Sequence, residues 1–235
     1  MLEHLRSGLD SLLLTLLPPR CGACSEPLSA YPRYGLCAVC YEVLEPNIGE
    51  RCGLCDLPGD DPCGACRVDP PAFTRLVAPY IYGGSLAELV VATKFHGRED
   101  LAHALGRLLG DRESVRGLAD KATVIVPVPL GKKRRRQRGF NQSATIARTL
   151  GDALRLPIRH ALTRRRETLP QSDLSATQRR ANIQGSFGVA RPLTQRVLLV
   201  DDVVTSGETV RQAAAALRAA GAAEIVVAAL ARAAV

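Results

Sequence analysis

The stretch VLLVDDVVTSGETV, residues 197–210, decides the fold of this chain. Four apolar residues lead directly into Asp201 and Asp202, and a loop of small hydroxyl residues around Gly207 follows. A parallel strand that ends in polar residues places them at the carboxyl edge of the sheet, where α/β folds bind ligands. The pattern therefore predicts a buried strand, a ligand-binding edge and a helix that begins just after the loop.

The loop after the acid pair has the chemistry of a phosphate cradle. It offers backbone N–H groups, the hydroxyls of Thr205, Ser206 and Thr209, and the positive end of the following helix dipole. Two carboxylates would repel a phosphate, so they suit sugar hydroxyls, which donate hydrogen bonds to them, or a magnesium ion. A ligand with a phosphate on one side and a cis-diol on the other is a ribose 5-phosphate.

Apolar strands alternate with helical segments after the cysteine-rich region. Continuous apolar strands of this kind favour a parallel sheet that is covered on both faces. We expect an α/β domain over residues 71–235 and a small N-terminal module over residues 1–70, in which residues 1–17 form a short amphipathic helix. Strands are predicted over RLVAPYIYGG, ATVIVPVPL, QRVLLVDD and AEIVVAALAR, and helices over SLAELVVATKFHG, DLAHALGRLLGD, NQSATIARTLGDAL and SGETVRQAAAALRAAG.

All eight cysteines lie in C-x-x-C pairs within the N-terminal module. Such pairs bind zinc in a reducing compartment, and a site with four thiolates is structural because no coordination position is open to a substrate. Disulfides and redox chemistry are the less favoured alternatives. Two Zn²⁺ sites are predicted; the short loops favour sequential pairing, and a crossed arrangement stays open. The ligands are Cys21, Cys24, Cys37, Cys40, Cys52, Cys55, Cys63 and Cys66.

The charge of the chain narrows the class of partner. The formal net charge of +8 and the pI of about 9.3 favour nucleic acid or small phosphorylated ligands, without choosing between them.

The apolar run at residues 12–17 is too short to span a bilayer and lacks the pattern of a cleavable signal. We therefore predict a cytoplasmic protein with no membrane span.

Three further motifs connect the chain to a known family. VLLVDDVVTSGET resembles the phosphoribosyl-pyrophosphate (PRPP) motif of type I phosphoribosyltransferases. PVPLGKKRRRQRGFNQS (residues 127–143), KFHGR (94–98) and QSDLSATQRRANIQGSF (171–187), preceded by the cysteine pairs, resemble the ComF family of competence-associated, phosphoribosyltransferase-like proteins. The resemblance covers essentially the whole chain. It implies a type I phosphoribosyltransferase fold, a central parallel sheet flanked by helices, with a small N-terminal zinc-binding module.

The resemblance also implies roles for individual residues. Asp201 and Asp202 would hold the ribose hydroxyls and serve as the catalytic pair. The 5′-phosphate loop would consist of Thr205, Ser206, Gly207, Glu208 and Thr209, with the Glu208 side chain pointing away from the phosphate. PRPP contacts from the segment after VIVPVP would come from Pro129, Leu130, Lys132, Arg136 and Arg138. A lid would close with Gln171, Arg179 and Arg180.

Some of these segments also have plainer interpretations. The basic run at residues 132–138 is by itself equally typical of a solvated surface or of an anion site, and its position directly after the predicted pyrophosphate strand favours the anion site. It also suits contact with a nucleic-acid backbone. Lys94 and His96 end a predicted helix and complement its dipole there as readily as they contact a ligand.

The sequence leaves three possible functions open. The first is a glycosyltransferase that uses PRPP and Mg²⁺ with an unidentified acceptor. The second is a non-catalytic module that engages single-stranded DNA, or competence and DNA-processing proteins. The third is a regulator that senses PRPP or a nucleotide. The intact acid pair and loop favour the first and third, whereas the positive charge and the cysteine pairs favour the second.

Overall fold

The computed structural model of the chain describes residues 18–120, 122–165 and 185–233. The helix predicted over residues 1–17 and the predicted lid residues Gln171, Arg179 and Arg180 lie outside this part. The described strands are β1 (Arg75–Val77), β2 (Tyr80–Ile81), β3 (Val124–Pro127), β4 (Leu162–Arg164), β5 (Phe187–Val189), β6 (Arg196–Val204) and β7 (Glu224–Arg232). The described helices are α1 (Ala38–Glu42), α2 (Gly64–Val68), α3 (Gly84–Phe95), α4 (Glu99–Gly110), α5 (Glu113–Ala119), α6 (Lys132–Arg138), α7 (Gln142–Leu154) and α8 (Glu208–Ala219).

A parallel sheet forms the centre of the domain. Its strands lie in the order β1, β7, β6, β3, and β2 pairs with β7 beyond the end of β1. β4 and β5 form a separate antiparallel pair against α8. The predicted parallel α/β architecture is confirmed.

Both faces of the sheet are covered, which explains why its strands are continuously apolar. Along β6, Leu198 and Val200 belong to one buried apolar cluster, with α3, α4 and α7. Val197 and Leu199 belong to another, with α8. Because successive side chains of a strand point to opposite faces, each apolar residue of β6 has a core to enter.

β6 extends beyond the acid pair that was expected to end it. Its neighbour β3 ends at Pro127, which pairs with Val200, whereas β7 continues and pairs with β6 as far as Val204. Asp201 and Asp202 therefore lie past the last residue of β3, on a backbone that is still held by β7. The carboxyl edge of the sheet is stepped at this point, and the step leaves the acid pair without a neighbouring residue of β3.

The segment RLVAPYIYGG forms two short strands, so the prediction of one strand was wrong. Pro79 has no N–H to donate to a ladder. The N–H of Ala78 donates to the carboxylate of Asp56 at 2.9 Å, not to β7. The interruption lets the cysteine-rich module contact the sheet between β1 and β2.

In the described part of the chain, no helix combines the length and apolar character needed to cross a membrane.

Candidate functional site

Asp201 occupies the floor of the site and is only 8% exposed. Its Oδ1 accepts hydrogen bonds from Ser143 Oγ at 2.9 Å and from the N–H of Asp202 at 3.0 Å. Burial, reinforced by the neighbouring carboxylate of Asp202, raises the pKa of Asp201 to about 7, although these hydrogen bonds oppose the shift. A carboxyl group with such a pKa is poised for a ligand that supplies further hydrogen-bond donors or positive charge.

Asp202 is paired with a lysine from a distant helix. Lys94 Nζ, in the last turn of α3, lies 2.9 Å from Asp202 Oδ2, and the N–H of Val203 donates to Oδ1 at 2.7 Å. The ion pair answers the question left open for Lys94, because this side chain contacts the acid pair and lines the cavity beside it. His96 instead follows the end of α3.

The loop after β6 turns through Gly207 into α8. Gly207 has φ +79°, a left-handed conformation that glycine adopts without a steric penalty, and it is the N-cap residue of α8. Thr205, Gly207 and Thr209 line the cavity. The carboxylate of Glu208 is largely buried and accepts a hydrogen bond from Gln212 at 3.0 Å, so it points along α8. Ser206 faces a second, smaller cavity behind the loop.

The wall opposite the loop carries Pro129, Leu130, Arg134 and Arg138. The basic run forms the helix α6, and residues four apart share one helix face. Arg134 and Arg138 consequently face the cavity together. Burial lowers the pKa of Arg138, whose guanidinium donates to Gln142 and lies 5.5 Å from the Phe95 ring.

Lys132 and Arg136, the other two basic residues predicted here, share a different face of α6. Both are exposed, and neither is among the described residues that line the cavity. The sequence motif thus located the basic helix but not the face that it turns to the site.

The cavity between these walls has a volume of about 240 Å³. Tyr82 and Arg164 also line it, and neither was predicted. The arrangement joins an acid pair, a glycine-containing loop at a helix N-terminus and a basic wall. These groups suit a ligand that carries both hydroxyls and phosphate.

The cysteines form two clusters, and in each cluster the sulfur atoms lie within 4.8 Å of one another. Their composition answers the pairing question in favour of sequential pairs. One cluster contains Cys21, Cys24, Cys37 and Cys40, and the other contains Cys52, Cys55, Cys63 and Cys66. We call the segments around them the first cysteine module (residues 18–44) and the second cysteine module (residues 50–69).

Each of the two clusters fits its own tetrahedral metal ion. With metal–sulfur bonds of about 2.3 Å, the sulfur atoms of a tetrahedral zinc site lie about 3.8 Å apart. The Cys24–Cys37 and Cys55–Cys63 sulfur pairs are separated by 3.9 and 3.6 Å. Burial opposes thiolate formation at Cys21 and Cys52, but backbone N–H donors outweigh it and lower their pKa values to about 6 and about 7.

The two modules repeat one backbone design, and the repeat is visible in the sequence as RCGACSEP (20–27) and RCGLCDLP (51–58). In each, the residue after the second cysteine has positive φ, 63° at Ser25 and 62° at Asp56. The carbonyl of that residue accepts a hydrogen bond from an arginine, Arg20 or Arg51, at 3.0 Å. A short helix then begins just after the third cysteine. The repeat therefore extends beyond the C-x-x-C pairs to the arginine before each pair and the proline after it, which pair with each other in both modules.

The chain is similar to known proteins over most of its length. Residues 137–234 match the phosphoribosyl transferase domain. The chain is 36% identical over 219 residues to DNA utilization protein YhgH of Escherichia coli (strain K12), a match that covers 89% of this chain and 95% of the relative. It is 33% identical over 221 residues to Competence protein F of Haemophilus influenzae, covering 91% and 90%.

The chain belongs to the ComF family. Among solved structures, this ComF chain is similar to glutamine PRPP amidotransferase from Bacillus subtilis, complexed with ADP and GMP, with 23% identity and a TM-score of 0.39. That match covers 60% of the ComF chain and 30% of the amidotransferase chain, so it spans less than a third of the larger enzyme.

Proposed function

We propose that this ComF-family protein binds PRPP or another ribose 5-phosphate ligand, together with Mg²⁺, in the cavity at the end of β6. One observation supports the proposal most directly. Asp201 and Asp202, the loop at Gly207 and the basic face of α6 border one cavity. A phosphorylated ribose is the small ligand whose groups match all three.

Each end of such a ligand would have its own partners. The cis-diol would donate hydrogen bonds to the carboxylates of Asp201 and Asp202. The 5′-phosphate would accept hydrogen bonds from the backbone N–H groups of the loop and from the hydroxyls of Thr205 and Thr209, at the positive end of α8. A pyrophosphate at C1 would extend toward Arg134 and Arg138, whose charges are suited to it.

The residues present also fit a magnesium ion. Carboxylate oxygens and phosphate oxygens are the ligands that Mg²⁺ prefers, and Asp201 and Asp202 supply the former. When bound, Mg²⁺ would neutralise part of the negative charge on the pyrophosphate. The two structural metals that we expect in the cysteine clusters are Zn²⁺, the usual ion for four thiolates.

If the protein transfers a phosphoribosyl group, these residues have defined tasks. Breaking the bond from C1 of the ribose to pyrophosphate leaves positive charge on the sugar and negative charge on the leaving group. Asp201 and Asp202 would orient the diol and stabilise the cationic sugar, while Arg134 and Arg138 would stabilise the departing pyrophosphate. The acceptor is the remaining partner, to be found by screening once PRPP binding is measured.

A second candidate function is binding of single-stranded DNA in competence or DNA processing. The relatives are named for DNA utilization and competence. Lys132, Lys133, Arg135 and Arg136 form an exposed basic surface on α6, outside the cavity. Such a surface gives sequence-independent affinity that falls steeply with salt. The two functions are compatible because they use different faces of the same helix.

Calorimetry with PRPP and with ribose 5-phosphate, with and without Mg²⁺, tests the first proposal. At pH 8 Asp201 is mostly ionised, since its pKa is about 7. We expect wild-type binding that weakens on the order of 10- to 100-fold in Asp201→Asn/Asp202→Asn, because hydrogen bonds to charged groups are lost. Asp152→Asn, at an exposed position of α7, serves as the matched control.

Absence of binding by a folded, metal-loaded wild type would refute the PRPP proposal. Oligonucleotide affinity measured at several salt concentrations tests the second function independently. There, Lys132→Ala/Arg136→Ala should weaken binding and flatten the salt dependence. An unchanged salt slope in that variant would contradict a DNA-binding role for the exposed face of α6.

A further inference from the structure

The second cysteine module packs directly behind the phosphate loop. A cavity of about 60 Å³ separates them, and its walls combine Ser206 and Gly207 of the loop with Cys55 and Cys66 of the metal cluster. Such a small space leaves the loop little room to move toward the module. The rear of the proposed phosphate site is therefore the second cysteine cluster.

Arg211 lies between the loop and the cluster. Its backbone N–H donates to the carbonyl of Gly207 at 3.0 Å, so it belongs to the first turn of α8. Its guanidinium donates to Cys66 Sγ at 3.7 Å and, through both terminal nitrogens, to the carbonyl of Asp69 at 2.9 Å. The Asp69 carboxylate lies 3.6 Å away. One side chain thus ties the helix that carries the loop to the metal cluster.

Arg232 makes a second connection at the strand that leads into the loop. It is 3% exposed, and its Nη1 donates to the carbonyl of Cys55 at 2.7 Å. In the β6–β7 ladder it pairs with Val204, the last residue before the loop. The cluster is therefore connected to the loop on both of its sides.

The charges explain why arginines occupy these positions. Four thiolates around one divalent ion carry a net charge of about −2. A dianionic centre close behind a phosphate loop would repel the phosphate, and a fixed guanidinium between them offsets that repulsion. Arg211 has this placement.

We propose that the second metal cluster and Arg211 position the phosphate loop and set its affinity for phosphate, with Arg211 as a positioning residue. This inference rests on the proposed function for its ligand, but its structural part concerns the loop alone. The metal holds Cys66 and Cys55 in place, and these residues hold Arg211 and Arg232. Arg211 then fixes the position of α8 relative to the second cysteine module. Its positive charge also offsets the repulsion between the thiolates and the bound phosphate.

The test compares Arg211→Gln, Arg211→Lys and the control Arg67→Gln in the full chain. Arg67 belongs to the same module, but it is exposed and pairs with Asp60. Zinc content, hydrogen exchange of the amides at residues 205–209, and the Kd for ribose 5-phosphate are measured for each. We expect two zinc ions per chain in all three variants.

For Arg211→Gln, we expect faster exchange of the loop amides and weakening of ribose 5-phosphate binding by roughly tenfold, because the charge that offsets the repulsion from the thiolates is lost. Arg211→Lys should recover most of the affinity because it keeps the charge, and Arg67→Gln should match wild type in both readouts. Cys66→Ser, which removes a metal ligand, should accelerate the same loop amides while the first cluster keeps its zinc.

If hydrogen exchange of the loop amides is unchanged in both Arg211→Gln and Cys66→Ser, the inference is overturned, regardless of the affinity for ribose 5-phosphate. A wild type that does not bind ribose 5-phosphate refutes the proposed function instead, and the exchange comparison still decides whether the cluster supports the loop. Equal loss of affinity in Arg211→Gln and Arg67→Gln also overturns the inference, because it assigns the effect to the module as a whole.

Discussion

Ser25 and Asp56 follow the second cysteine of their respective modules in the same left-handed conformation, but Ser25 is exposed and Asp56 is half-buried. The Asp56 carboxylate accepts hydrogen bonds from the N–H of Ala78 and from Asn47, both at 2.9 Å. It thereby anchors the second module to the corner between β1 and β2. The same turn is exposed to solvent in the first module and contacts the sheet in the second module.

The first module attaches to the helices instead, through close apolar packing and through polar contacts of Arg33 and Tyr34 with Asp111. A Cβ atom built on Gly22 would lie 2.5 Å from Leu89 and 2.9 Å from Leu101. Gly35 approaches Leu101 in the same way, and Tyr34 donates a hydrogen bond to Asp111 at the end of α4. The module therefore extends the apolar core of the α3–α4 face.

The second module attaches through charged and polar groups, namely Asp56, Arg211 and Arg232. The difference shows that the metal-binding turn and its docking surface are separable. The same turn is built in both modules, while the side chains around it contact the apolar core in one module and the loop at Gly207 in the other. Three matched pairs of substitutions test this separation.

The largest effect is expected from Leu101→Ala, which removes the side chain that packs on Gly22 and Gly35. We expect a loss of about 3 kcal/mol in the free energy of unfolding, as for other buried leucines. Leu57→Ala, at a partly buried position of the second module, should cost clearly less. Denaturant unfolding of the zinc-loaded proteins measures both, and equal losses would show that the two modules rely on apolar packing to the same extent.

Asp56→Ala should destabilise the protein by about 2 kcal/mol more than Ser25→Ala. Both substitutions place alanine at the same positive φ, so their backbone costs cancel in the difference. Asp56→Ala additionally leaves the N–H of Ala78 without an acceptor and removes one of the two acceptors of Asn47 Nδ2, which also donates to the carbonyl of Ala78. Thermal unfolding measures the stability of the two variants. A difference in the free energy of unfolding below about 0.5 kcal/mol would show that Asp56 does not help to attach the second module.

The smallest expected difference is between Gly22→Ala and Gly53→Ala, which occupy equivalent positions in the two modules. The new methyl group at position 22 meets two packed leucines, so we expect a loss of about 1–2 kcal/mol from overpacking. At position 53 it meets the exposed carboxylate of Asp61 at 2.9 Å, and moving this side chain aside costs only its hydrogen bond from the Gly53 N–H, about 0.5–1 kcal/mol. A larger loss for Gly53→Ala would reverse the comparison.

The fold was largely predictable because the sheet is buried on both faces. Its central strands must then be continuously apolar, and the runs around Val197 and Ile225 are. The acid pair and the loop at Gly207 were also predictable, since strand, turn and helix start are consecutive in sequence. RLVAPYIYGG was misread because its interruption depends on Asp56, which is remote in sequence and accepts the Ala78 N–H.

Contacts between distant segments could not be predicted in the same way. Nothing local to Lys94 or Ser143 indicates that they would contact Asp202 and Asp201. The choice of Arg134 over Lys132 and Arg136 depends on where α6 begins, which the basic run itself does not reveal. The repeat of the modules is readable in RCGACSEP and RCGLCDLP, but the spacing that follows differs, since Cys24 and Cys37 are 13 residues apart and Cys55 and Cys63 only 8.

The unequal lengths of β3 and β6 have a consequence for how this protein could change. β6 continues four residues past Val200, whose partner Pro127 ends β3, a step of about 13 Å at 3.3 Å per residue. The depth of the cavity is thus set by the unequal lengths of the two strands, whereas its walls come from α6 and the loop at Gly207. Insertions or substitutions in the walls would alter which molecule fits the cavity, yet leave the depth at which Asp201 and Asp202 lie unchanged. A lineage could in this way exchange ligands repeatedly without rebuilding its core.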